Sequence, residues 1–155
     1  MASVDYEEIF SSFLGSVTDY NLASLDATEA YEIMKEYLHK ALAERYVGRL
    51  FTSKKLDDDV QLFSFEMKYS IDDDSDREFV INALAKWMAY EWVHNKVNTT
   101  SLTAQFFGAK EQKYYAQQTH LSELQALESN LYTEAYNFIM RRGYIDNKYL
   151  EGKKS

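Results

Sequence analysis

The chain contains no cysteine and no proline in 155 residues, and its five glycines stand singly. Without cysteine it can form neither a disulfide framework nor a thiolate metal site, which suits a reducing cytosol or a particle assembled there. Without proline, its helices and strands must end at Gly, Asn, Asp or Ser. Isolated glycines also leave no Gly-rich loop that would bind a phosphate group. These absences exclude redox, disulfide-scaffold and P-loop chemistry.

Long apolar runs and clustered cations are missing as well. No eighteen apolar residues stand together and the N-terminus has no basic region, so we expect a chain without a secretion signal or a membrane span. The formal net charge of −8 argues against binding nucleic acid through its phosphates, because such binding requires clustered Lys and Arg. An acidic surface does suit a channel through which DNA passes without adhering.

Residues 76–96 form the most apolar helical stretch, and we expect the other elements to pack around it. Counted at 100° per residue, its apolar side chains cover about 160° of the helix circumference. They are Val80, Ile81, Leu84, Ala85, Trp87, Met88 and Trp92. Two tryptophans close together offer more apolar area than any other turn of the chain, which indicates a central helix.

Three further helices are predicted, at residues 4–14, at residues 26–48 and from Thr119 or Ser122 to Gly143. Residues 95–101 are a polar break, followed by a short helix at 102–107 and a loop at 108–118. The predicted fold is therefore mainly α, a bundle of about four helices with a small β element near residues 49–71. Residues 1–143 form one domain, and residues 144–155 form a tail that is flexible or ordered by a partner.

Residues 63–71 break the helical pattern, because apolar and polar side chains alternate strictly along them. This alternation is typical of a strand. Its only candidate partner within the chain is the short stretch at residues 48–52, and residues 49–59, which carry the charged run KKLDDD, are predicted to be a solvated loop. An isolated strand pair is marginally stable, so we expect another molecule to complete the sheet.

Two Glu-x-x-His pairs, Glu36/His39 and Glu91/His94, have the spacing that di-iron bundles use to bind metal. The first pair falls on the solvated side of its helix. The second lies beside the apolar arc of the central helix, but in its final turn and without evident bridging glutamates. We therefore expect satisfied or solvated histidines, and keep a metal site using Glu91 and His94 as the alternative.

The acidic run at residues 72–76 has the odd spacing of a calcium loop. Its sixth position would be Arg77, where glycine makes the turn, and its twelfth would be Ala83, where a bidentate glutamate is required. We therefore interpret the run as an N-terminal helix cap whose carboxylates complement the helix dipole.

Aromatic residues make up 15% of the chain, and thirteen of them are tyrosine, a residue that suits protein interfaces. Some apolar side chains lie outside the three main helical stripes, and we interpret them as a candidate subunit interface. They are Phe63, Phe65, Met67, Tyr69, Phe106, Phe107, Tyr114 and Tyr115. The alternative is that they cover the ends of the bundle as satellite core.

The order of segments resembles that of a known class of phage protein. The segments are VTDYNLASLD before a capped helix, an acidic loop with the strand FSFEM, the helix ALAKWMAYEWV, then FFGAKEQKYY and THLSELQAL. Together they are similar to the small helical neck proteins of tailed phages of Gram-positive bacteria, the head–tail connectors or adaptors. The similarity runs from about Tyr6 to Arg142 and includes no catalytic motif.

The resemblance implies a structural virion protein of the neck, assembled in the host cytoplasm, with no enzymatic activity and no cofactor. Its implied partners are further copies of itself in a ring of about twelve, the portal protein, and the next neck or tail protein. DNA would be only a passing strand in the channel, and no membrane is involved. Two alternatives remain: a cytosolic helical-bundle metal protein or enzyme using Glu91 and His94, and an acidic DNA mimic.

Overall fold

The computed structural model describes residues 2–16, 27–106 and 111–145, with side chains described for 2–16, 27–99 and 120–142. This part of the chain is mainly α, with five helices and one small antiparallel sheet. The helices are α1 (Tyr6–Ser16), α2 (Ala27–Ala43), α3 (Arg45–Gly48), α4 (Asp73–Phe106) and α5 (Glu111–Ile145). The strands are β1 (Ala2–Asp5), β2 (Phe51–Asp57) and β3 (Leu62–Met67).

Helix α4 is the centre of the fold, as its sequence predicts. No side chain from residue 79 to residue 94 is exposed, and Leu84, Trp87 and Met88 are completely buried. Helix α5 packs along α4, which also contacts α1, α2 and β1. A helix that is apolar on most of its circumference must be covered from several directions, and these elements cover it.

Helices α4 and α5 are both longer than predicted. Helix α4 passes through the expected break at residues 95–101, because Val97 continues its buried face and the Thr99 hydroxyl donates to the Asn95 carbonyl at 2.9 Å. Helix α5 begins at Glu111, within the expected loop at 108–118, and runs two residues past Gly143. Polar residues did not end these helices because packing of α4 on α5 outweighs their weak preference for turns.

Two boundaries near the N-terminal half also differ from the predictions. The expected helix at residues 4–14 is preceded by strand β1, and the helix begins only at Tyr6. The expected helix at residues 26–48 is divided into α2 and α3 at Glu44, whose extended ψ of 130° interrupts the helical backbone. Residues 17–26, 107–110 and 146–155 lie outside the described residues, as does most of the predicted tail.

The strand predicted at residues 63–71 is present as β3, which ends earlier, at Met67, and the prediction that another molecule must complete its sheet is wrong. It is the middle strand of the order β1-β3-β2, and both neighbours pair with it antiparallel. Strand β2 includes part of the charged run that was predicted to be a loop. The sequence pattern missed β1 because only four residues pair there, too few to show an alternation.

The sheet has one buried face, and that face carries three residues of the predicted interface. Phe63 and Phe65 are completely buried and Met67 is 6% exposed. Phe63 and Phe65 stack on each other with ring centroids 5.3 Å apart, and Phe51 contacts both rings edge-on. Phe63 and Phe65 belong to the core of this chain, so the prediction that they form a subunit interface is wrong, whereas Met67, farther along the strand, also lines a surface cleft.

We expect Trp87→Ala to lower the free energy of unfolding by about 3–5 kcal/mol, because a large buried side chain leaves a cavity that its neighbours cannot fill. Trp87→Phe should cost less, since it keeps an aromatic ring and removes an indole N–H that has no hydrogen-bond partner within the described residues. Denaturant unfolding monitored by circular dichroism measures both. A Trp87→Ala variant as stable as the wild type would contradict this view of the core.

The amides of β3 should exchange slowly with solvent even in the monomer, because both edges of the strand are paired. The matched control is the exposed first turn of α4 at Asp73 and Asp74, whose amides have no intrahelical acceptor. Hydrogen exchange followed by NMR measures the two groups in one sample. Equal exchange in β3 and in this turn would mean that the sheet needs a second chain.

Candidate protein-docking cleft

Tyr69 is the one residue of the predicted interface that the structure describes as exposed; its side chain is 40% exposed just after β3. Phe106, Tyr114 and Tyr115 lie on the described helical backbones of α4 and α5, but their side chains are outside the described part, and Phe107 is outside it entirely. Of the four whose side chains the structure describes, Phe63, Phe65 and Met67 are buried and Tyr69 is exposed. For the last four, the interface stays a prediction.

Tyr69 lines an apolar cleft of about 170 Å³. The cleft lies where three elements meet: helix α3 with the turn after it, the end of β3, and the last turns of α5. Its walls are Tyr46, Arg49, Leu50, Met67, Tyr69, Ile139, Met140 and Arg142. Tyr, Arg and Met are the residue types enriched in the cores of protein interfaces, and the lining contains no carboxylate, histidine, serine or threonine.

Arg142 holds one wall of the cleft in place through a buried ion pair. It is only 8% exposed, and its Nη2 donates to Asp76 Oδ1 at 2.6 Å and to the Tyr69 carbonyl at 3.2 Å. Its guanidinium also lies 4.4 Å from the ring centroid of Phe79. One side chain thus joins the end of α5 to the start of α4 and to the backbone that carries Tyr69.

Asp76 has a different role from the helix cap that the acidic run predicts. The cap is confirmed at Asp72, whose Oδ1 accepts the Ser75 amide at 2.8 Å. Asp76 instead accepts from the Ser70 hydroxyl and the Ile71 amide as well as from Arg142. Burial by itself would raise the pKa of Asp76, but these three donors together hold it below its ordinary value.

A second arginine, Arg49, lines the cleft and makes no ion pair within the described part of the chain. Its guanidinium is 6.0 Å from the ring centroid of Tyr46, on whose ring Arg45 also lies, at 4.7 Å. Arg45 also donates to the Tyr46 hydroxyl at 2.7 Å. The cleft is therefore apolar inside and cationic at its edge, an arrangement that favours an apolar side chain accompanied by a carboxylate.

The alternative prediction is a metal site at Glu91 and His94, and the described side chains do not complete such a site. His94 Nδ1 is 2.9 Å from Glu128 Oε1, and His39 Nε2 is 3.1 Å from Asp58 Oδ1. Burial raises the pKa of Glu91. Across the described residues, no three His, Asp or Glu side chains are grouped as metal ligands would be.

A helix able to cross a bilayer is not found among the described helices, in spite of the length of α4 and α5. Sequence reasoning missed most of the cleft residues, because they come from three separated segments and none stands out in its own segment. The signals in the sequence were Met67 and Tyr69, which the alternation through residues 63–71 includes.

We expect Asp76→Asn to lower the free energy of unfolding at neutral pH by about 3–5 kcal/mol, because it leaves the buried Arg142 without a counter-charge. The pKa of Asp76 is lowered by folding, so its contribution is complete above the unfolded value of about 3.9 and is lost as pH falls through the lower folded value. The difference in free energy of unfolding between the wild type and the variant should therefore shrink as pH falls through this range, which denaturant unfolding at several pH values measures. The exposed Asp74→Asn is the control, and a difference that does not change with pH would contradict the assignment.

Comparison with known proteins does not assign this chain to a family. No known protein family matches the sequence, and neither the curated proteins nor the solved structures include a significant match.

Proposed function

We propose that this protein is a structural, non-enzymatic component of a phage virion, a head–tail connector that forms a ring between the portal and the tail. The observation that supports it is the cleft around Tyr69, which has the composition of a protein-docking site. In this proposal copies of the chain contact one another around the ring and extend the DNA channel. The portal and the next neck or tail protein are its other partners.

The cleft supports protein recognition over catalysis because of what lines it. A catalytic site needs a nucleophile or an acid–base pair within hydrogen-bond reach of the substrate, and none of the eight lining residues supplies a carboxylate, imidazole or aliphatic hydroxyl. A cavity of about 170 Å³ is also smaller than usual small-molecule sites. It matches in scale a pocket that receives one or two side chains of a partner.

The charge of the chain supports the same proposal. A net charge of −8 suits the wall of a channel that DNA must traverse without binding. The order of segments, from about Tyr6 to Arg142, resembles that of neck proteins, for which a position between portal and tail is expected. A ring of about twelve copies follows from that resemblance if the protein matches the symmetry of a portal.

The purified chain should form closed rings, alone or when mixed with its portal. Electron microscopy images the ring and its opening, and native mass spectrometry should give an integer multiple of 18.2 kDa. Measurement of bound metal in the same sample tests the alternative that uses Glu91 and His94. A chain that remains monomeric in both conditions, or that carries stoichiometric metal lost in a Glu91→Ala and His94→Ala variant, would contradict the proposal.

A further inference from the structure

The turn between β2 and β3 presents an apolar side chain to solvent. Val60, at the tip of this hairpin, is 64% exposed, the highest value among the large hydrophobic residues that the structure describes as exposed. It is flanked by Asp59, and Gln61 next to it has a positive φ of 57°, which closes the turn. Gly, Pro, Asn, Asp and Ser dominate turns, so an exposed valine is an uncommon residue at this position.

This turn is held rigidly by the body of the protein. The Tyr6 hydroxyl donates to Asp58 Oδ1 at 2.7 Å, and His39 Nε2 is 3.1 Å from the same oxygen. The Tyr6 amide donates to the Gln61 carbonyl at 2.9 Å. Val60 is therefore presented on a fixed scaffold, so little conformational freedom would be lost if a partner received it.

The turn itself is also closed by a local hydrogen-bond pattern. Asp57 Oδ1 accepts the amides of Asp59 and Val60, the arrangement of an Asx turn. The Asp58 carboxylate contacts Tyr6 on α1 and His39 on α2, whereas the Asp59 carboxylate makes no ion pair within the described residues. Each of the three neighbouring acids thus has a different role, and only Asp59 remains beside Val60 to meet a partner.

The tip and the cleft are complementary. The tip offers one exposed apolar side chain beside one unpaired carboxylate, and the cleft offers an apolar recess beside the unpaired cation of Arg49. They lie at opposite ends of the same hairpin, because Leu50 and Tyr69 flank its open end. Seven residues of β2 separate them by a distance on the order of 20 Å, so one chain cannot place its own tip in its own cleft.

The geometry points to a head-to-tail contact in which the Val60 tip of one copy enters the Tyr69 cleft of the next, with Asp59 facing Arg49. Such a contact joins two different surfaces and leaves each copy with one free tip and one free cleft. Repetition of the contact closes into a ring when the rotation between copies permits it, and otherwise extends as a filament. The contact rests on the proposed ring and names the surfaces that would form it.

Single cysteines test the contact, since the chain has none of its own. A Val60→Cys variant mixed with a Tyr69→Cys variant under mild oxidation should form a disulfide-linked dimer of one copy of each. The control mixture pairs Val60→Cys with Leu127→Cys, which is 42% exposed on α5 and away from the cleft. Mass spectrometry identifies the linked peptides, and equal cross-linking in the two mixtures would overturn the contact.

Charge reversal tests the polar half of the same contact. Asp59→Arg and Arg49→Asp should each weaken self-association by about tenfold or more, because each places like charges together. The double variant restores opposite charges across every contact and should regain most of the loss. Analytical ultracentrifugation measures the dissociation constant of self-association for all three variants. If the double variant loses as much affinity as the two single variants combined, these two residues do not pair.

The outcomes separate this inference from the proposed function. If the wild type forms rings but the Val60 and Tyr69 cysteines do not cross-link, the head-to-tail contact is wrong and the ring proposal stands. If they cross-link and the assembly is an open filament, the contact stands and the connector proposal fails. If the wild type does not assemble and the Val60 and Tyr69 cysteine variants do not cross-link, with or without portal, both are wrong.

Discussion

The need to cover α4 on most of its circumference determines how the rest of the chain is arranged. Leu84, Trp87 and Met88 are fully buried on one helix, and no single neighbour can exclude water from all of them. Helix α5 packs along it while α1, α2 and β1 cover other sides. The sheet then joins the same core through Phe63 and Phe65. The core is continuous, so the helical and sheet parts are not separate units.

The buried Asp76–Arg142 ion pair favours one register of this packing, together with the more exposed pairs Lys86–Glu134 and His94–Glu128 between the same helices. Two long helices can shift along each other with a small change in buried area, but a buried charge must meet its counter-charge. The pair lies where α4 begins and α5 nears its end, and Arg142 also binds the Tyr69 carbonyl. The position of the cleft is therefore determined by the same interaction that aligns the helices.

The sequence was informative wherever a pattern is local and long. The apolar arc containing Trp87 predicted the central helix, and the alternation through Phe63 and Phe65 predicted β3. It was misleading where long-range pairing decides the outcome. Four residues at Ala2–Asp5 complete the sheet, and nothing local indicates that they pair with a strand some sixty residues away. Because that partner was missed, buried aromatic residues were interpreted as surplus surface. The cleft and the Asp76–Arg142 pair depend on the same kind of distant contact.

The completed sheet changes which apolar side chains are available for contact with another chain. Because β1 pairs with the edge of β3 and the core encloses Phe63 and Phe65, these side chains need no second chain to bury them. Among the apolar side chains that the structure describes as exposed, two have a distinctive setting: Val60 lies on a turn anchored by Asp58, and Tyr69 lies beside a recess with an arginine that makes no ion pair. Exposed apolar residues scattered singly are common, and need no partner to explain them. Here Val60 lies on a rigid acidic turn, and Tyr69 lines a recess beside a cation. The inference of self-assembly therefore depends on complementary shape and charge more than on the amount of exposed apolar area.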